Sequence, residues 1–356
     1  MKSFVLFVIF LISFGLKAKS PELSDEDLKT APPKIIRTCC SFGYEVKLIG
    51  LPFVKFTDIT SFDLLGRHQY LGSDTEMNGI VYTHFGGFID VAHARDVSDW
   101  TAYLYKLIKK NQKEKNHYFE MKLGNEGGNK KLKLRIPENL NDDDAIKLAG
   151  KIAYDISVWH EIATWYGNSY LPLIKERYSA FSVEDAYSNL LGAHIGMEAI
   201  KSDLPYNDAV TKIIRQKLAD LKPVKTKADT EKAMNAVKDI WWTDKEYLPS
   251  GKVLIKREFR VYGDSLYPRL IPSDEAIRFK SLPIFTTTNQ GKDLNDFYDL
   301  CIKLNLKFPY RRMFADLEHN KVEDKNRTIT QRDFQAIISF GSSKNRKKYP
   351  IDRYQF

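Results

Sequence analysis

An α+β fold, a central helical bundle flanked by short antiparallel strands and hairpins, is what the sequence predicts, on three observations. The middle of the chain carries long segments with apolar residues at three- and four-residue spacing, first Val97, Trp100, Leu104, Leu107 and Ile108, then much of Asp144 to Tyr166. The runs HYFEMKL and KLKLRI alternate about the turn NEGGN, the pattern of a hairpin. Beyond Pro249 the helical period gives way to short β-rich runs. With 356 residues, 43% hydrophobic and 13% aromatic, the chain has ample material for a core.

The N-terminus, MKSFVLFVIFLISFGLKAKS, has a basic Lys2, an apolar run from Phe4 to Leu16 and then polar residues, as a secretory signal does over 1–18. The apolar run is short for a bilayer span, and cleavage after Ala18 or retention as an uncleaved anchor are the two outcomes it allows. Residues 19–33 read as an acidic, proline-ended linker, 34–343 as one α+β domain and 344–356 as a basic tail. No segment after the leader is long and apolar enough to span a membrane.

Within the domain, KIIRTCC and YEVKLIG read as short strands, and IVYTHFGGFID as a strand passing through Gly86 and Gly87 into a helix. That helix ends in the lysine-rich KKNQKEK. The next one opens on NDDD and stops at Gly167, and its second half is apolar on nearly every side, so it belongs in the centre. Ser182 and Asp185 of SVED have the spacing of a capping box for a helix through Ala199. Two more helices are expected over Tyr206–Leu221 and Thr230–Trp241, completing a helical centre over about 90–245. A strand-rich part follows over about 250–310, from VLIKREFRVYG, SLYPRLI and DLCIKLNLKF, the last placing Cys301 opposite its apolar face. TQRDFQAIISFG is a final helix with a Thr330 cap and a Gly341 stop.

Formal charge is +9, and loss of Lys2 and Lys17 with the leader leaves +7, concentrated most clearly in KNRKK at 344–348. An anionic polymer or another envelope component is the partner this suggests; with no helix-turn-helix or zinc finger, nucleic acid is not. No P-loop, G-x-G-x-x-G or G-x-S-x-G appears, which leaves nucleotide cofactors and a serine elbow without support. Cys39, Cys40 and Cys301 lack zinc-ligand spacing; a disulfide, a vicinal pair, buried thiols or a histidine-assisted nucleophile all stay open for them.

The best site candidate is GGFIDVAHARDVSDWT, 86–101, which crowds a histidine, an arginine and three acids into an otherwise buried stretch. If the helix opens near Asp90, then Asp90, His93, Val97, Trp100 and Leu104 share a face. A second polar seam, Ser157, His160, Glu161, Thr164 and Asn168, runs along the central helix. Its HE pair lacks the second histidine of HExxH, where Thr164 stands. His194 and Glu198 at four-residue spacing read more simply as a helix-surface pair.

Together CCSFG (39–43), GGFIDVAHARDVSDWTAYL (86–104), WHEIATWYG (159–167) and FSVEDAYSNLLGAHIG (181–196) resemble the bacterial proteins grouped as domain of unknown function 4056. The resemblance implies an exported, envelope-associated protein and carries no activity. It departs from that family at His84, where a cysteine is expected before the double glycine.

Three readings of the histidine segments follow. In a metal-dependent hydrolase, zinc or another divalent ion sits on His93, His160 and an acid such as Asp90, Asp96 or Asp185, with Glu161 as general base. In a metal-free version His93 or His160 works beside an acid such as Asp96 or Glu161, and Arg95 binds an anionic substrate group. In a non-enzymatic envelope scaffold or binding protein, the same groups form a structural polar knot. All three turn on whether the two imidazoles meet in one enclosed polar chamber.

Overall fold

The computed structural model describes residues 32–33, 37, 41–49, 51–55, 58–169, 176–274, 278–305 and 328–348. The leader, most of the linker, Cys39, Cys40 and the end of the basic tail lie outside these residues. The fold is α+β: helices pack in the centre, and short antiparallel sheets surround them.

A small hairpin, β1 (Lys47–Leu48) and β2 (Leu51–Lys55), precedes a second, β3 (Ile80–Thr83) and β4 (Gly87–Asp90). The double glycine therefore turns a hairpin; it does not lead directly from strand to helix. Gly87 adopts φ +66°, and a Cβ there would lie 2.1 Å from the Arg269 carbonyl oxygen, so this position admits no side chain. Helix α1 (Val91–Lys113) starts at once after β4, because the Asp90 carboxylate accepts from the Ala92 and His93 N–H groups at 2.8 and 3.3 Å.

Strands β5 (Tyr118–Asn125) and β6 (Gly128–Arg135) form the expected hairpin. Helix α2 (Asp142–Trp165) is capped by Asn141, whose side chain accepts from Asp144 N–H at 2.8 Å, with three aspartates in its first turn. Helix α3 (Asp185–Lys201) begins with Glu184 as an N-cap that makes no side-chain cap bond. Ser182 and Asp185 do bond each other, Ser182 N–H donating to Asp185 Oδ2 at 2.7 Å, but one turn ahead of the helix, so the expected box closes a loop. Gly192 and Gly196 let α3 approach α1 closely: a Cβ on Gly192 would lie 2.4 Å from Ala94 O, and one on Gly196 2.8 Å from Thr101 Cβ.

Helix α4 (Tyr206–Asp220) follows, then α5 (Lys227–Ala236), which starts earlier and ends sooner than expected. Thr226 and Asp229 make a complete capping box, and the Trp242 indole donates to Met234 O at 2.9 Å, closing the helix well before Trp241. The run VLIKREFRVYG forms no strand. Its N–H groups donate to loop carbonyls, Ile255 and Lys256 to Trp241 O and Glu258 to Phe181 O, so an extended chain is satisfied without a ladder. SLYPRLI contributes only β7 (Ser265–Leu266), paired with β8 (Leu282–Pro283). Strand β9 (Tyr298–Leu304) alternates as expected and joins β10 (Thr328–Ile329) in a four-stranded antiparallel sheet ordered β10-β9-β6-β5. Helix α6 (Phe334–Lys348) runs through Gly341, where the missing Cβ lets Trp165 Nε1 come within 3.1 Å of that point; glycine here serves packing and does not stop the helix.

The main core joins α1–α4 to the inner face of the sheet, where Leu132, Leu134, Tyr298, Leu300 and Ile302 are buried. A smaller cluster gathers Phe42, Tyr82, Phe88, Trp241 and Trp242. Among the described residues no helix is long and apolar enough to cross a membrane.

Candidate active site

Helices α1, α2 and α3 line a cavity of about 20 Å³. That is room for about one water. His93, Asp96, Val97 and Trp100 line it from α1, Ile156, Ser157, His160 and Glu161 from α2, and Asn189 from α3. The spacings at i, i+3, i+4 and i+7 on α1, and at i, i+3 and i+4 on α2, are those of one helix face, so each helix turns a mixed polar and apolar stripe inward.

Each histidine faces a carboxylate through Nδ1. His160 Nδ1 is 2.6 Å from Glu126 Oε1, and His93 Nδ1 is 3.4 Å from Asp185 Oδ1. Glu126 comes from the β5–β6 turn, where Lys130 Nζ donates to its other oxygen at 2.5 Å. Burial opposes charge on His160, but Glu126 more than offsets it and lifts the imidazole to about 9, so the ring is a cation at neutral pH. Glu126, between two cations, is held far below the ordinary carboxylate range despite its burial.

The remaining acids behave in the opposite way. Burial pushes Asp96 up to about 8, even though Arg37 Nη1 donates to its Oδ1 at 2.7 Å. Its other oxygen, Oδ2, is buried without a hydrogen-bond partner among the described residues. Glu161 and Asp185 hydrogen-bond each other, and burial raises both. Glu161 Oε2 accepts from Phe181 N–H at 2.8 Å, while Asp185 Oδ2 accepts from Ser182 N–H and Oγ–H. Glu184, beside Asp185, is raised as well, by burial and then by its neighbour's charge. Burial thus disfavours charge on these carboxyls next to a histidine whose cation Glu126 favours, a pairing suited to acid and base steps.

The structure therefore brings four of the sequence-picked residues, His93, Asp96, His160 and Glu161, to one cavity. Asp90 and Arg95 are not among its lining residues. Asp90 is engaged as the cap of α1. Arg95 is buried on another face of the helix, where Nη2 donates to Gly66 O at 2.8 Å and Nη1 lies 3.3 Å from Glu76. There it joins a network centred on Arg37, whose guanidinium donates to Glu76, Asp96, Asp99 and the Gln69 carbonyl at 2.6–2.9 Å. His68 Nε2, the Tyr206 hydroxyl and the Leu71 N–H also contact Asp99, at 3.0, 2.9 and 3.1 Å.

Among the described residues no group of three His, Cys, Asp or Glu side chains is placed to hold a metal ion. His160 engages Glu126 through Nδ1. His194 bonds the Pro283 carbonyl at 2.9 Å and Glu198 pairs with Lys217, so these two stand apart from the cavity chemistry. Cys301 is half-buried on the outer side of β9, its thiol pushed up by burial. Glu126 was hidden in the sequence, because an acid inside a glycine turn reads only as turn chemistry. Asn189 was likewise indistinct, one amide on a helix whose other faces are apolar.

No curated protein and no solved structure matches the chain. A family model described as protein of unknown function (DUF4056) matches residues 28–272, more than half of the chain and including every residue that lines the cavity. On that match, this chain belongs to the DUF4056 family.

Proposed function

We propose that the protein is an exported hydrolase of a cell-envelope component, with the α1–α2–α3 cavity as its reaction site. One observation carries this reading: two histidines from separate helices, one hydrogen-bonded to Glu126 and the other 3.4 Å from Asp185, border a water-sized cavity beside acids on which burial disfavours charge. Glu161 or His93 takes a proton from the water as it attacks, and the His160 imidazolium gives one to the leaving group. Asp96, protonated at neutral pH, donates to the oxygen that gains charge. The signal-like N-terminus supports the envelope assignment.

A metal-assisted version would need zinc or a similar ion on His93, His160 and Asp90. Asp90 caps α1 and lies outside the cavity lining, so metal-free acid–base chemistry is the better fit. The size of the cavity favours a second reading, a non-enzymatic envelope scaffold: space for about one water admits no substrate unless the helices part. Purified protein with isolated cell-wall sacculi separates the two. A hydrolase releases soluble fragments, and Glu161→Gln and His93→Ala abolish release while melting at or above the wild-type temperature. A scaffold releases nothing, and both substitutions lower the melting temperature by several degrees, of the order of 1 kcal/mol or more.

A further inference from the structure

The outer face of the four-stranded sheet is divided in two by charge. Toward the start of β5, Glu120 lies 3.5 Å from Lys133, and Asp299 accepts from Arg135 at 2.7 Å, so both acids on that half are neutralised. Toward the hairpin turn the face carries Lys122, Lys131 and Lys303, and among the described residues none of these has an ion-pair partner. The register puts Lys122 directly opposite Lys131, with Cys301 next in the same row, and Lys303 opposite Asn129 in the row beyond. Neighbouring strands are about 4.8 Å apart, so two like charges are held side by side, an arrangement that weakens a sheet unless an anion lies across it.

We propose that this half of the sheet is a docking surface for a linear phosphate-bearing polyanion. Charge complementarity selects an anion, and three lysines spread over two rows and three strands suit a chain of phosphates better than one isolated ion. The surroundings favour a solvated polymer over a lipid surface. Gly124, Asn129 and Thr328 neighbour the lysines, and among the described residues the one large exposed apolar side chain on this face, Tyr118, sits at the neutral end. A bilayer contact would call for apolar residues among the cations.

The test is binding of fluorescently labelled long-chain inorganic polyphosphate to the full chain at low and at physiological salt, with phosphatidylglycerol vesicles as the competing surface. Wild type is expected to bind polyphosphate with affinity that falls as salt rises, and K122E/K131E/K303E to lose at least about tenfold. Lys212→Glu, an exposed lysine on α4, is expected to bind as wild type does. K131E alone should melt slightly higher than wild type while binding less, since it replaces the like-charge pair with an opposite one; a reduction caused by misfolding would lower the melting point instead. Equal binding by the triple variant, or tighter capture by vesicles than by polyphosphate, overturns the proposal.

Discussion

The Arg37 network and the helix cavity are both buried, both rich in ionisable groups, and joined through Asp96, yet they treat charge in opposite ways. In the network Arg37 directs its donors at Glu76, Asp96, Asp99 and a carbonyl, with Arg95 and His68 close by. Burial works against the Glu76 carboxylate, but the Arg37 hydrogen bond and charge outweigh it and bring that group down to about 2. Around the cavity the acids outnumber the cations. Glu161, Asp185 and Glu184 are all pushed up by burial, and the positive ring of His160 is committed to Glu126. Matched charge underground stays ionised and rigid, whereas unmatched charge is discharged by taking up protons. The first arrangement fastens the segment carrying Arg37 to α1; the second leaves acids on which charge is disfavoured beside a water-sized cavity.

The contrast is broken most severely by Arg37→Ala. It leaves Glu76 and Asp99 buried without their main cation and should cost about 3–5 kcal/mol in urea unfolding. A loss under about 1 kcal/mol would falsify the structural role of the network. Next in size is the pH dependence, where the two regions pull in opposite senses. Glu76, lowered from 4.5 to about 2, contributes stability that is present above pH 4.5 and lost as pH falls through 2. Asp96, raised from 3.8 to about 8, contributes stability that is full below 3.8 and lost as pH rises through 8. His160, raised from 6.5 to about 9, adds a contribution that is full below 6.5 and gone above 9. Unfolding midpoints across this range should therefore fall at both ends, and His160→Ala should flatten the alkaline arm; an unchanged arm in that variant removes the Glu126–His160 pair from the account.

At one fixed neutral pH, His160→Ala should cost about 1–3 kcal/mol, less than Arg37→Ala, because Lys130 still satisfies Glu126. Glu161→Gln should change stability by no more than about 1 kcal/mol, since the neutral amide keeps the side chain's shape and removes the burial cost of its charge. Calorimetric melting of both variants checks the order, and a larger loss for Glu161→Gln would assign the cavity to the structural class. The smallest effect belongs to Lys109→Ala, which removes an exposed pair with Asp142 and should cost at most about 1 kcal/mol, a baseline for charge that burial does not amplify.

Local signals made much of the fold readable. Asp90, Asn141 and Thr330 stand at the starts of their helices, and NEGGN turns its hairpin. The errors came where a local sign had a tertiary use. Gly341 looked like a stop but leaves space for Trp165, SVED looked like a cap but closes a loop, and VLIKREFRVYG had strand composition without a partner strand. The cavity histidines were legible as polar residues on apolar stripes. Glu126 and Arg37 were not, because their contacts bridge 34 to 62 positions of sequence.

What the sequence by itself determined is periodicity and capping, hence which segments become helices and which faces they bury, since those preferences act within a few residues. Only the tertiary structure decided that His93 and His160 border one cavity, that β9 pairs with β6, and which buried acids are pushed toward the protonated form. Protonation depends on the number of cations within a few ångströms in a medium of low dielectric, and that neighbourhood exists only once distant segments have packed.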